Sequence, residues 1–414
     1  MIQNTQKTIY FRNKISKYFK GILFVLNDKG EIFEGNSSFY EVWKRLNGST
    51  VDRLLYEISD FFSIPITEIQ NDVIDILHEM QSLNLIKNEK PSAPISTIET
   101  DLINAQIAIT ECCNLHCDHC YLPRKNRMTT INYNSVIKIL NELQSIGILL
   151  LEISGGEPLL HPDIESIIKI SKQMGFYIKL FTNGTLINNK NSVWLNTFVD
   201  EFRISLDGTE DTHNLIRGSS DAFRRTCNAL DLLNGKPIQI SMAVSDINMG
   251  CISDVALIAQ KYGVLFEVSP VLPFPILKNN FQKNIDINRS LLSINEWSKK
   301  KDTAISNRYK LRGPNCSAGT KTIYISYDGE VYPCPLLSFP KWKIGNFYKT
   351  SIEKIIASEK IYKFIKFKNK ILEKCNKCKK CQFWCLSLLE CELKNNHSNN
   401  NLSFCMGKNQ NITF

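Results

Sequence analysis

Cys113, Cys117 and Cys120 stand in the spacing CxxxCxxC, about thirty-five residues ahead of Gly155-Gly156-Glu157-Pro158. Three thiolates on one short loop can hold three irons of a cubane iron–sulfur cluster and leave the fourth iron open to a ligand. The loop begins where an apolar, β-branched run over residues 103–110 ends, and the glycine pair closes a second such run over 149–154. Two reactive loops at the carboxyl ends of consecutive strands make the active face of a barrel. With later runs at 238–244 and 264–268 there are about six strand–helix alternations, which predict an α/β fold built on a partial (β/α)6 barrel.

Eight further cysteines fall late in the chain: Cys316, Cys334, Cys375, Cys378, Cys381, Cys385, Cys391 and Cys405. Eight thiolates suffice for two closed cubanes. They suffice equally for two tetrahedral zinc sites, so the spacing alone leaves both readings open. Cys112 lies one place out of register with the first triplet, and Cys227 and Cys251 are scattered; buried small hydrophobes are the default for such thiols.

The motifs from about residue 103 onward resemble the radical SAM superfamily. The resemblance implies that the open iron chelates S-adenosylmethionine, and that its reductive cleavage yields a 5′-deoxyadenosyl radical. It implies a dedicated low-potential reductant such as flavodoxin or ferredoxin. It also places His119 near the adenine, with Gly155, Gly156 and Glu157 at the methionine ammonium. Asn183, in Phe181-Thr182-Asn183-Gly184-Thr185, falls on the ribose side, and Ser205 and Arg217 at the ribose or carboxylate. Arginine suits a carboxylate because its fork donates two parallel hydrogen bonds. The late cysteines resemble the SPASM extension, which implies two auxiliary four-iron clusters. By order, Cys316 and Cys334 belong to the proximal one and Cys375, Cys378 and Cys405 to the distal one. After Cys378 the spacing departs from the family pattern, leaving Cys381, Cys385 and Cys391 open between them.

The first hundred residues carry no metal-ligand spacing. Strand-like runs at 8–12, 21–26 and 31–34 surround a hairpin signal at 27–30. Helical patterns follow at 37–46, 51–62 and 68–85, the last with Thr67 as its cap and Ile74, Leu77, Met80 and Leu83 on one face. This pattern resembles the RiPP recognition element, a small winged-helix module, and implies that the leader of a ribosomally made precursor peptide docks there as an added strand. The expected division is a leader-binding α+β domain at 1–88, a linker at 89–101, the barrel at 102–275, a bridging segment at 276–310 and a cysteine-rich SPASM-like extension at 311–414.

Composition narrows the setting. Fourteen cysteines without a secretory signal at the start point to a reducing cytoplasm. The longest apolar run, near 146–153, falls well short of the ~18 residues of a membrane span. Thirteen lysines face three glutamates between 341 and 380, a basic stretch fit for an acidic electron donor, a peptide or the charge of thiolate clusters. No stacking pattern or fold for nucleic acid accompanies it. With six histidines, hydrolytic chemistry has little support.

Together these readings predict a peptide-modifying enzyme that most naturally forms an intramolecular thioether cross-link, as sactipeptide and ranthipeptide maturases do. Carbon–carbon cross-linking and epimerisation are the neighbouring alternatives, the latter with Cys227 or Cys251 as hydrogen donor. Formylglycine formation, as in sulfatase maturation, is disfavoured by Pro335, where those relatives carry a carboxylate. A zinc-stabilised, non-catalytic peptide-binding regulator is the reading from a different class.

Overall fold

The computed structural model describes residues 9–12, 16–19, 22–26, 32–83, 85–87, 102–122, 128–233, 235–272, 286–299, 309–310 and 316–378. Cys381, Cys385, Cys391 and Cys405 lie outside the described residues, as do the side chains of Cys375 and Cys378.

Six parallel strands form the centre: β7 (Asn104–Ala108), β8 (Leu150–Ser154), β9 (Tyr177–Thr182), β10 (Glu201–Ser205), β11 (Ile238–Val244) and β12 (Leu265–Pro270). They neighbour one another in chain order, as successive right-handed crossovers produce, so this is the expected partial barrel. Helices return the chain between strands; Asn132 starts one of them by accepting Ser135 N–H at 2.9 Å, and Asn188 and Asn191 form a reciprocal box on another. One strand face packs outward on these helices through Ile107, Ile153, Leu180, Ile204 and Ile240. The alternate positions, among them Gln106, Glu152, Arg203 and Ser241, turn inward on a cavity.

The sheet does not stop at β7. Strand β14 (Thr322–Ile325) pairs parallel with β7, and β15 (Glu330–Tyr332) and β16 (Gly345–Asn346) continue antiparallel, making ten strands with β13 (Tyr309–Lys310) beside β12. The cysteine-rich region is thus joined to the barrel edge by main-chain hydrogen bonds. Glu142 adds a tie by accepting Ile352 N–H at 2.7 Å.

The amino-terminal domain has its own core of Leu23, Val25, Phe39, Trp43, Leu54, Leu77 and Met80. Strands β2 (Ser16–Phe19), β3 (Ile22–Leu26) and β4 (Ile32–Gly35) form a meander, with β4 at the edge. Helices Ser37–Arg45, Val51–Phe62 and Ile66–Ser82 follow. Three details differ from the sequence reading. A strand at 16–19 appears between the expected first and second. The third helix starts after Pro65 with no side-chain cap, so Thr67 lies inside it, and its packed face is Val73, Leu77 and Met80. It also ends at Ser82, and β6 (Ile86–Lys87) turns back to pair with β1 (Ile9–Arg12), which β5 (Asn47–Thr50) flanks on its other side, because Leu85 N–H bonds Met80 O and reverses the chain.

Candidate functional site

Three loops at the carboxyl ends of β7, β8 and β9 are bonded to one another before any ligand is considered. Gly156 N–H donates to Thr110 O at 2.8 Å and Glu157 N–H to Cys112 O at 2.7 Å. A Cβ at Gly156 would lie 2.3 Å from Cys112 O, and one at Gly155, at φ +153°, 2.3 Å from Thr110 O. The glycine pair therefore exists to let the second loop lie flat on the cysteine loop. Asn183 bridges the third: its Nδ2 donates to Asn114 Oδ1 at 3.0 Å, while Asn114 Nδ2 donates to Thr185 Oγ1 at 2.8 Å.

Cys113, Cys117 and Cys120 gather around Leu115 and Ala222 and open on a cavity of 580 Å³. Burial pushes the Cys113 thiol up to about 11 and raises that of Cys117, against the pull of Arg217. A metal must displace protons to bind here, which links cluster assembly to pH. Among the described residues no group of three His, Cys, Asp or Glu side chains is arranged to hold a single metal ion.

His119, Gly155, Gly156, Asn183, Ser205 and Arg217 all line the same cavity. Glu157 does not. Its carboxylate is fully buried and accepts from Thr182 Oγ1 (2.8 Å), Asn183 N (2.8 Å) and Leu159 N (3.1 Å), clamping the second loop to the third. Burial pushes it up to about 7, although those hydrogen bonds pull the other way.

Arg217 is buried, with Nη2 2.6 Å from Asp207 Oδ2 and Nη1 donating toward Cys117 Sγ at 3.6 Å; its Nε has no protein partner. His119 Nε2 stands 3.7 Å from the same Asp207 oxygen. Asp207 is the residue sequence reasoning missed. Its carboxyl is held below the usual range chiefly by the Arg217 guanidinium, despite burial that raises it. His213 stays neutral, lowered to about 3 by burial and Arg217, and its Nδ1 accepts Asp207 N–H at 3.0 Å. The signal was available: Asp207 sits two residues past Ser205 in the motif that closes β10.

Cys316 and Cys334 line this cavity too, with Pro335 and Leu336. Cys112 faces Thr130 instead, and neither Cys227 nor Cys251 is among the lining residues. Cys251 bonds Thr212 Oγ1 at 3.6 Å, which leaves the proposed hydrogen-donor role without support.

The donor set fits a cluster with one open iron and a cofactor beside it: three clustered thiols, an arginine with an unpartnered buried N–H, and a loop of two glycines. Residues 107–250 match the radical SAM superfamily, 316–382 the SPASM iron–sulfur cluster-binding domain, and 23–86 coenzyme PQQ synthesis protein D. The chain carries a radical SAM domain and is an enzyme whose cofactors are iron–sulfur clusters and S-adenosylmethionine. More particularly, it carries a PqqD domain ahead of the barrel and a SPASM domain behind it. It is 29% identical over 353 residues to the antilisterial bacteriocin subtilosin biosynthesis protein AlbA of Bacillus subtilis, covering 80% of this chain and 78% of that one. Mycofactocin maturase MftC of Mycobacterium ulcerans is 26% identical, covering 58% and 69%. The crystal structure of Streptococcus suis SuiB bound to precursor peptide SuiA has the same fold, with TM-score 0.62 and 16% identity, covering 86% and 90%. No helix among the described residues is long and apolar enough to cross a membrane.

Proposed function

We propose that this enzyme modifies a ribosomally made precursor peptide and closes a thioether between a cysteine and another residue of it. The single observation that carries the reading is that Cys316 and Cys334 line the same cavity as Cys113, Cys117 and Cys120, so both cysteine sets border one substrate space. The relatives point the same way: a bacteriocin biosynthesis protein, a mycofactocin maturase and an enzyme bound to a precursor peptide share sequence or fold with the chain.

Cys113, Cys117 and Cys120 hold the first cluster; Arg217 and Ser205 take the carboxylate or ribose of S-adenosylmethionine, His119 lies at its adenine and Asn183 on the ribose side. When bound and reduced, cluster and cofactor would supply hydrogen-atom abstraction from an unactivated C–H bond, and closing the thioether would release the thiol proton to solvent and one electron to the auxiliary centres. Asp207 holds Arg217 and His119 in register. Phe181, Val271, Leu272, Pro335 and Leu336 shield the cavity from water. The leader docks on the domain at 1–88, where β4 offers the sheet edge. Exposed Lys360, Lys363, Lys366 and Lys370 on the helix Glu359–Cys378 receive an acidic electron donor of the flavodoxin or ferredoxin kind. Cys375, Cys378, Cys381, Cys385, Cys391 and Cys405 complete the auxiliary centres.

The test is anaerobic incubation of reconstituted enzyme, reductant, S-adenosylmethionine and a cysteine-containing peptide encoded beside it. A product lighter by two hydrogen atoms per modification, with one fewer free thiol, supports the thioether. Unchanged mass with solvent hydrogen incorporated contradicts it and indicates epimerisation.

A further inference from the structure

The long helix Glu359–Cys378 carries a lysine where its packing face calls for an apolar side chain. Ile361, Phe364 and Ile371 are buried along one stripe, and Lys368 sits between the last two, only 2% exposed. Such an ammonium is tolerated when its hydrogens are bonded. Lys368 Nζ donates to Cys316 O at 3.0 Å, Ala318 O at 2.9 Å and Thr320 Oγ1 at 2.8 Å, three acceptors for three N–H donors.

All three acceptors belong to one turn, and that turn is built to receive the helix. Ser317 O collects the backbone N–H groups of Thr320, Lys321 and Thr322 at 3.1, 2.9 and 3.1 Å. Gly319 sits at φ +68°, where an added Cβ would lie 2.8 Å from Phe364 Cδ1. The turn opens with Cys316 and leads into β14. On the helix side, the spacing 361, 364, 368, 371 continues in the sequence to Cys375 and Cys378. At ~1.5 Å per residue, Cys375 stands about 10 Å further along the axis than Lys368. One ammonium thus ties the turn bearing one thiol to the helix bearing two more.

We propose that Lys368 is a positioning residue for the auxiliary iron–sulfur centres: it sets the register between the Cys316 turn and the cysteine-bearing helix, and places a buried positive charge beside the centre that Cys316 and Cys334 hold. This rests on the auxiliary-cluster reading of those cysteines. A cation close to an anionic centre stabilises the added electron, so it makes that centre easier to reduce.

Three variants of the full chain separate the two effects. Lys368→Met keeps the stem and removes both charge and bonds. Lys368→Arg keeps the charge, but its planar fork cannot converge on three acceptors of one turn. Thr320→Val removes one bond alone and guards against a Lys368 variant that fails to fold. Iron and sulfide per chain, an EPR-monitored reductive titration of the auxiliary signal, and cleavage of S-adenosylmethionine without peptide are measured on each.

Lys368→Met is expected to lose auxiliary iron, and what remains should titrate at a more negative potential than in wild type. Lys368→Arg should lose auxiliary iron with its potential less displaced, and Thr320→Val should show a smaller loss. Cleavage without peptide should persist in all three. Unchanged auxiliary iron and potential in Lys368→Met, or equal loss of iron from the first centre, overturn the proposal. Wild-type protein holding only the first centre's iron overturns the auxiliary reading itself, a result read before any variant is compared.

Discussion

The Arg217 guanidinium meets the Asp207 carboxylate at 2.6 Å, inside the barrel and beside Cys117. Both groups are buried, so each is tolerated because of the other. Asp207→Ala leaves an uncompensated cation and should destabilise the apo-protein by about 3–5 kcal/mol, read from the urea midpoint under anaerobic conditions. A change under about 1 kcal/mol would show the pair to be solvated rather than structural.

Replacing Cys113, Cys117 and Cys120 together by alanine should remove one cluster's iron and abolish cleavage of S-adenosylmethionine. Leader binding, measured by fluorescence anisotropy with a labelled peptide, should not change. Removal of residues 1–89 should do the converse, sparing cleavage and lowering peptide turnover. Loss of both activities in both variants would refute the modular division.

Gly156→Ala puts a methyl group 2.3 Å from Cys112 O and 2.6 Å from Glu111 O, backbone atoms with little freedom to yield. The cost should be about 1–3 kcal/mol, as for overpacking elsewhere. Because the displaced loop carries the cysteines, iron uptake on reconstitution should fall with it. Wild-type iron content in a stably folded Gly156→Ala protein would contradict the tight loop contact.

Glu157 supplies a pH signature. Its carboxyl is raised from 4.5 to about 7, so between those values the folded chain keeps a proton the unfolded chain has released. Stability therefore falls as pH rises through that window, by up to about 3 kcal/mol from this group. Glu157→Gln should flatten the slope over that interval, at a fixed cost for the Asn183 N–H left facing an amide nitrogen. Paired urea denaturations of the two apo-proteins across the interval read the difference directly; identical slopes would remove Glu157 as its source.

The barrel was legible because each parallel strand is a short β-branched run buried on its outer face and closed by a loop with its own chemistry, as at Cys113, Gly155 and Asn183. Cys316 and Cys334 were conspicuous in the sequence, but their place on the first cavity was not legible, since it depends on β14 pairing with β7, more than two hundred residues apart in sequence. The role of Glu157 was hidden for a similar reason: its partners, Thr182 and Asn183, belong to the next strand. The strand at 16–19, Ser-Lys-Tyr-Phe, is too short and polar to announce itself, and becomes a strand by pairing with β3. Lys368 was read as one of thirteen lysines on a basic stretch; a lysine within an i, i+3, i+7 apolar stripe was the available sign.

The account stands on a metal corner left open by Cys113, Cys117 and Cys120 for S-adenosylmethionine. EPR of the anaerobically reconstituted and reduced protein, recorded before and after adding S-adenosylmethionine, tests it most directly. A four-iron signal whose shape changes on addition, and which is missing when the three cysteines are replaced by alanine, is the predicted result. A protein that holds zinc alone, or a cluster signal that S-adenosylmethionine leaves unchanged, would contradict it.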